Sequence, residues 1–223
     1  MEIQSDIWHR QLTGDPGDLA RRAGILFIIG STSFALGSFP PYFLNLTAQA
    51  VGVTFFVGSI FFTSAGLTQL QEVIRESDRL VQHDSKIWWA LVVQLAGMIF
   101  FNVNTFRAAF VDVPPDEVNR LIWAPDLFGS IAFLVASHLV WLAVCGRLWC
   151  VRQTSSDWWM AGLNYMGSIF FMLSALAAYF LETTGEVVNI TLVNVGTFLG
   201  AVCFFLGAYL LLPQHELPAR STS

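Results

Sequence analysis

Charge is scarce in this sequence. Only 12% of its 223 residues are Asp, Glu, Lys or Arg, about half the ~25% usual in a soluble domain. Hydrophobic residues make up 55%, and the mean hydropathy is +0.59. A water-soluble core of this length has no room for so much apolar surface, so the excess must face another solvent, and lipid is the simplest one. Basic residues are scarcer still: 11 Lys and Arg stand against 16 Asp and Glu, a net charge of −5. No Lys/Arg-rich run exists to track phosphates, which excludes a nucleic-acid partner. Cysteine is limited to Cys145, Cys150 and Cys203. The first two close a span assigned below to the cytoplasmic side, where thiols are expected to stay reduced, and C-x4-C lacks a second ligand pair for zinc. Neither a disulfide nor a metal site is therefore expected. No nucleophile–base pair and no His/Cys/carboxylate cluster stands out, so the sequence points to no catalytic residue, metal or cofactor, and an enzyme is the least favoured class.

Long apolar runs are what the sequence has in abundance. A spanning helix needs about 20 mostly apolar residues, and six stretches qualify: 23–39, 46–68, 88–109, 121–145, 158–181 and 189–211. Seven of the eight prolines lie outside them, the exception being Pro125, as expected of a residue that interrupts the helical ladder. Residues 1–22 form a polar tail with a turn signal at Asp15-Pro16-Gly17-Asp18 and no signal-peptide core, so the first apolar segment is expected to stay as a span. Residues 213–223 form a second tail. Orientation follows from basic residues. Arg10, Arg21, Arg22, Arg75, Arg79, Lys86, Arg147, Arg152 and Arg220, nine of the eleven, fall on one side. Arg107, Arg120 and the acidic Asp112, Asp116, Glu117, Glu182 and Glu186 fall on the other. Both termini are thus expected in the cytoplasm, with the chain in the inner membrane. Trp88, Trp89, Trp149, Trp158 and Trp159 near the inner boundary, and Trp123 near the outer one, suit interfacial anchors.

An internal repeat runs through the spans. Each carries a Gly, a Phe four residues later and a small or short polar residue seven later: Gly30/Phe34/Gly37, Gly58/Phe62/Ala65, Gly97/Phe101/Asn104, Gly129/Phe133/Ala136, Gly167/Phe171/Ser174 and Gly200/Phe204/Gly207. Gly58, Gly129 and Gly200 are spaced 71 and 71 apart, and Gly30, Gly97 and Gly167 are spaced 67 and 70 apart. The chain reads as a hairpin of about 70 residues used three times, over 23–68, 88–145 and 158–211. The expected fold is all-α: a polytopic six-helix transmembrane bundle of three tandem helical hairpins. Positions 0, +4 and +7 share one helix face. Small residues there let backbones approach while Phe fills the groove, the kind of packing that joins helices in lipid. Gly196-x-x-x-Gly200 adds a second close-contact motif.

Three spans carry Gly-Ser-Ile-x-Phe, at Gly58–Phe62, Gly129–Phe133 and Gly167–Phe171. In this the hairpin resembles the YrhK-like family of small bacterial membrane proteins, whose domain is about one hairpin long, so the likeness covers each third of the chain separately. The resemblance implies a prokaryotic membrane protein of no established activity and carries over no site residue. Helix 1 departs from it, with Arg21-Arg22 where helices 3 and 5 have Trp-Trp.

Three residues before each repeat Gly stand Phe27, Phe55, Gln94, Asp126, Asn164 and Thr197. Four of the six are polar in apolar surroundings and near the packing face, so they are expected to meet inside the bundle. Interhelical hydrogen bonding explains them at about 0.6–2 kcal/mol per contact. A mid-membrane site for an ion or small solute is the sharper alternative, which Asn102 and Asn104 could extend. Asp126 in hydrocarbon should pair or hold its proton. If helix 4 instead begins at Pro125, Asp126 is a wet cap at the outer interface. Arg107 is expected to snorkel towards Asp112, Asp116 or Glu117. His138 reads as a packing residue and His9, His83 and His215 as solvated. Helix 2 is expected to continue into the loop, with Glu72/Arg75/Glu76/Arg79 at pairing distance. The leading functional reading is a non-enzymatic structural or accessory bundle in the lipid bilayer, partnered by a second copy or another membrane protein. The alternative is a small-solute or ion transporter around Asp126.

Overall fold

The computed structural model describes residues 16–76, 86–148, 150–151 and 155–212. The readings placed on Arg10, Arg79, Arg152, Arg220, Trp149, His9, His83 and His215 lie outside the described residues. The chain is all-α, with six helices long and apolar enough to cross a membrane: α1 (Pro16–Gly37), α2 (Ala48–Glu76), α3 (Lys86–Phe110), α4 (Ala124–Cys145), α5 (Ser156–Ala177) and α6 (Ile190–Leu210). Consecutive helices pair as the hairpins α1–α2, α3–α4 and α5–α6. Each helix packs against its sequence neighbours, and α6 closes on α1. The result is a closed ring of six helices with no open edge. Large apolar residues such as Ile29, Val57, Ile99, Phe128, Val135 and Leu206 are exposed on its outside, as a lipid-facing wall requires.

The helix ends show where local chemistry adjusts this plan. Helix α2 runs on to Glu76, as its charged second half suggests. Ser155 caps α5 by accepting from the Trp158 amide, and Asn189 caps α6 by accepting from the Leu192 amide. Helix α4 is entered through a 3₁₀ turn, Pro115–Glu117, and a π turn, Asn119–Trp123. Pro125 falls at the junction of the π turn and α4, where its missing N–H leaves the Leu121 carbonyl without an intrahelical donor. Arg107 does not reach Asp112, Asp116 or Glu117. It turns to the π turn and donates to the Leu121 carbonyl at 2.9 Å, an oxygen whose i+4 partner, Pro125, has no N–H to give it. Arg120 takes Glu117 instead.

Helix α5 stops at Ala177, short of the expected 181. Phe180–Leu181 (β1) pairs antiparallel with Glu186–Val187 (β2) across a turn that Gly185 closes at φ 72°. Asn119 explains the departure. Its amide accepts from the Phe180 N–H at 2.9 Å and donates to the Phe180 carbonyl at 2.8 Å, holding that backbone in extended form and tying the outer loops of two hairpins together. Trp123 is likewise more than an interfacial anchor, because its indole donates to the Ala175 carbonyl at 2.9 Å.

The cysteines depart further from expectation. Cys145 and Cys150 are joined in a disulfide, with Cα atoms 5.5 Å apart. Gly146, left-handed at φ 69°, ends α4 and turns the chain back on itself, which brings the two side chains together. Trp141 and Trp158 brace the loop by donating to the carbonyls of Leu148 and Cys150. A compartment rule speaks only to redox conditions, and here the turn decided the pairing.

Candidate functional site

The six repeat glycines and phenylalanines meet on the axis of the ring. Within each hairpin the two glycines face each other. A Cβ placed on Gly30, Gly97 or Gly167 would lie 3.0–3.1 Å from the carbonyl oxygen of Gly58, Gly129 or Gly200 respectively. Each glycine is also the socket for its partner helix's phenylalanine. Phe62 lies over Gly30, Phe34 over Gly58, Phe133 over Gly97, Phe101 over Gly129, Phe204 over Gly167 and Phe171 over Gly200. Antiparallel helices whose Gly and Phe are both four residues apart, about 6 Å of rise, bring ring and socket to one level twice per hairpin.

The rings stack as two triangles. Phe34, Phe101 and Phe171 contact one another at centroid distances of 5.8–6.5 Å. Phe62, Phe133 and Phe204 do so at 5.7–6.3 Å. Three rungs of 5.2–5.5 Å link the triangles, one inside each hairpin. These separations suit edge-to-face and tilted aromatic pairs, and all six residues are buried. The void left among the rings is about 10 Å³, at the lower limit of what holds one water. Two layers of aromatic rings therefore close the axis at mid-height. Ser31, Ser59, Ser130 and Ser168, each one residue after a repeat glycine, are fully buried beside them. Ser59 bonds Thr105 and Ser168 bonds Ser137 across the joints between hairpins, while the Ser31 hydroxyl has no partner among the described residues.

The four polar positions expected to meet do not. Alternate helices run in opposite directions, so three residues before Gly is towards one face of the ring on odd helices and towards the other on even ones. Asp126 and Thr197 lie at the end away from the termini and Gln94 and Asn164 at the end bearing them. Helical rise separates the two sets by roughly 15 Å, with the aromatic layers between. Four of the six positions, Phe55, Asp126, Asn164 and Thr197, instead meet position +7 of their hairpin partners. Asn104 donates to Asp126 at 2.9 Å, and Ser174 and Thr197 share a hydrogen bond at 2.8 Å. Phe55 fills the space that Gly37 leaves, and the Asn164 side chain fills that at Gly207. Large opposite small, and polar opposite polar, is the rule at this layer. Asp126 does not cap α4 with its side chain. Its carboxylate faces Asn104 while the chain upstream remains helical through the π turn. Asn102 binds Thr63 across the α2–α3 joint at 2.8 Å, apart from this pair. His138 packs against Tyr165.

A cavity of about 260 Å³ opens at the end bearing the termini, and sequence patterning alone did not reveal it. All six helices line it, with Phe27, Gln69, Gln94, Val140, Asn164 and Gly207 contributing one residue each in chain order. Phe204, from the nearer triangle, belongs to the same lining, so the aromatic layers are its floor. Among the described residues no group of three or more His, Cys, Asp or Glu is placed to hold a metal ion. No protein-family model, curated protein or solved structure matches this chain.

Proposed function

We propose that the chain is a non-enzymatic structural or accessory membrane protein: a sealed six-helix ring formed from three copies of one hairpin. The single observation that supports this reading most is the double phenylalanine layer, each ring seated on a glycine of its partner helix. Such an axis is built for close packing rather than conduction. The equivalent contacts in all three hairpins support the internal repeat, and a one-hairpin unit is the size of the YrhK-like domain it resembles. The unequal distribution of basic residues supports an inner membrane of bacterial type, with both termini in the cytoplasm. Lipid surrounds the ring, and a second copy or another membrane protein is its partner.

The test has two arms. Reconstituted protein should pass no protons or small cations in proteoliposomes, and sustained flux would overturn the reading. Replacing Gly58, Gly129 and Gly200 together with Leu should abolish the folded ring, and retained assembly would remove its packing basis. The alternative, a transporter, draws on the partly buried Asp126–Asn104 pair. It requires the aromatic layers to part, and flux that falls in Asp126→Asn would favour it.

The disulfide bears on sidedness. Cys145–Cys150 lies at the end that the basic residues assign to the cytoplasm, a compartment that keeps thiols reduced. In whole cells a membrane-impermeant maleimide applied after a reductant should leave these cysteines unlabelled. Labelling would reverse the orientation.

A further inference from the structure

We propose that the axial cavity is a binding site for a small organic ammonium ion with an apolar body. The inference goes beyond the sealed-ring reading, since a site closed at its floor binds without conducting.

The shape comes first. A cavity walled by every helix and floored by aromatic rings lies towards the end of the ring that bears the termini. Its volume of about 260 Å³ lies just under the ~300–1,000 Å³ of pockets for drug-sized ligands, which suits a smaller molecule. The chemistry of the lining then selects the class. Among the described residues its two ionisable lining side chains are Glu72 and Asp157, and no described Lys, Arg or His is in the lining. The basic residues at the same end, Arg21, Arg22, Arg75 and Lys86, are exposed and lie outside the lining. Among the described lining residues an anion would meet only like charge. Asp157 has no hydrogen-bond or ion-pair partner among the described residues. Below the carboxylates, the Gln94 and Asn164 side chains likewise find no hydrogen-bond partner among the described residues, and they can accept from an N–H.

Apart from Gln69 the remaining surface is apolar, with Leu91, Val144, Met160 and Leu211 on the walls and Phe27 and Phe204 lower down. A strongly hydrated metal ion would shed water here without a converging ligand group to replace it, since among the described residues no three His, Cys, Asp or Glu are placed together. A weakly hydrated ammonium with a hydrocarbon part exchanges its hydration for carboxylate, amide oxygen and aromatic faces, the combination that recognises organic cations elsewhere.

Calorimetry on the full chain in nanodiscs tests this, with 2-phenylethylammonium as the probe and 2-phenylethanol as its neutral counterpart. The expected result is saturable one-to-one binding of the ammonium, at least tenfold tighter than the alcohol. Asp157→Asn should remove most of that preference and leave the alcohol unchanged. Gln94→Leu with Asn164→Leu should weaken both probes. Failure of the parent protein to bind the ammonium saturably, or equal affinity for the two probes, would overturn the site. These parent-protein readouts need no variant to fold. Transport of the ammonium across proteoliposomes would leave the site standing and remove the sealed-ring reading, so the two proposals fail separately.

Discussion

Gly97→Ala is the smallest change that probes the packing. A Cβ at Gly97 would lie 2.8 Å from Phe133 Cδ2, 3.0 Å from the Ala132 Cβ and 3.1 Å from the Gly129 carbonyl oxygen. Against 3.4 Å as the inner limit of ordinary contact, the overlaps are 0.6, 0.4 and 0.3 Å. Two of the three obstacles are backbone or a Cβ, which cannot rotate away, so α3 and α4 must separate. Ala is the better helix former by up to about 1 kcal/mol, while overpacking a tight core costs about 1–3 kcal/mol. With the full propensity gain the balance is a net loss of about 0–2 kcal/mol. Gly129→Ala meets gentler overlaps, 3.1 Å to Phe101 and 3.2 Å to the Gly97 oxygen, and should lose less. Gly162→Ala meets only Trp141, at 3.6 Å, and should be neutral or stabilising. Because Gly97 and Gly129 face one gap, the double variant should lose less than the sum of the singles. Reversible unfolding in mixed micelles, followed by tryptophan fluorescence, gives the four values. Equal stability of Gly97→Ala and Gly162→Ala would refute the argument from close approach.

Further outcomes follow from the polar contacts. Ser31 is buried with a hydroxyl unpartnered among the described residues, so Ser31→Ala should stabilise by about 1 kcal/mol. Ser168→Ala, which loses bonds to Ser137 and the Phe133 carbonyl, should destabilise in the same unfolding assay, and matching signs would contradict the assignment. Asp126→Asn keeps an acceptor for Asn104 and should be nearly neutral. Asp126→Leu strands that amide and should lose about 0.6–2 kcal/mol, a difference that the same assay resolves. Maleimide counting on denatured protein should find one reactive thiol, Cys203, before reduction and three afterwards. Three reactive thiols at the start would show that the disulfide is absent from the isolated protein.

How far the polar positions were legible depends on direction. Periodicity placed Gln94, Asp126, Asn164 and Thr197 on one face of their own helices, and that face does turn inward. It carried no information about which end of the ring each would reach, because antiparallel neighbours invert a shared register. The Asn104–Asp126 and Ser174–Thr197 pairs follow from offsetting two such registers by one Gly–Phe step, an offset set only when rings enter sockets. Arg107 was placed by charge, yet its partner is the Leu121 carbonyl, which Pro125 four residues on cannot engage because it has no N–H.

Taken alone, the sequence determined the solvent and the plan: six apolar runs, six Gly-x-x-x-Phe faces and one hairpin period, because hydropathy and helical spacing are local quantities. Tertiary structure decided what lies on the axis. Closing α6 against α1 gathered six phenylalanines into a plug, parted the polar residues to its two sides and left a cavity at one end. These outcomes depend on how the helices run relative to one another, and distances between helices exist only once the ring has closed.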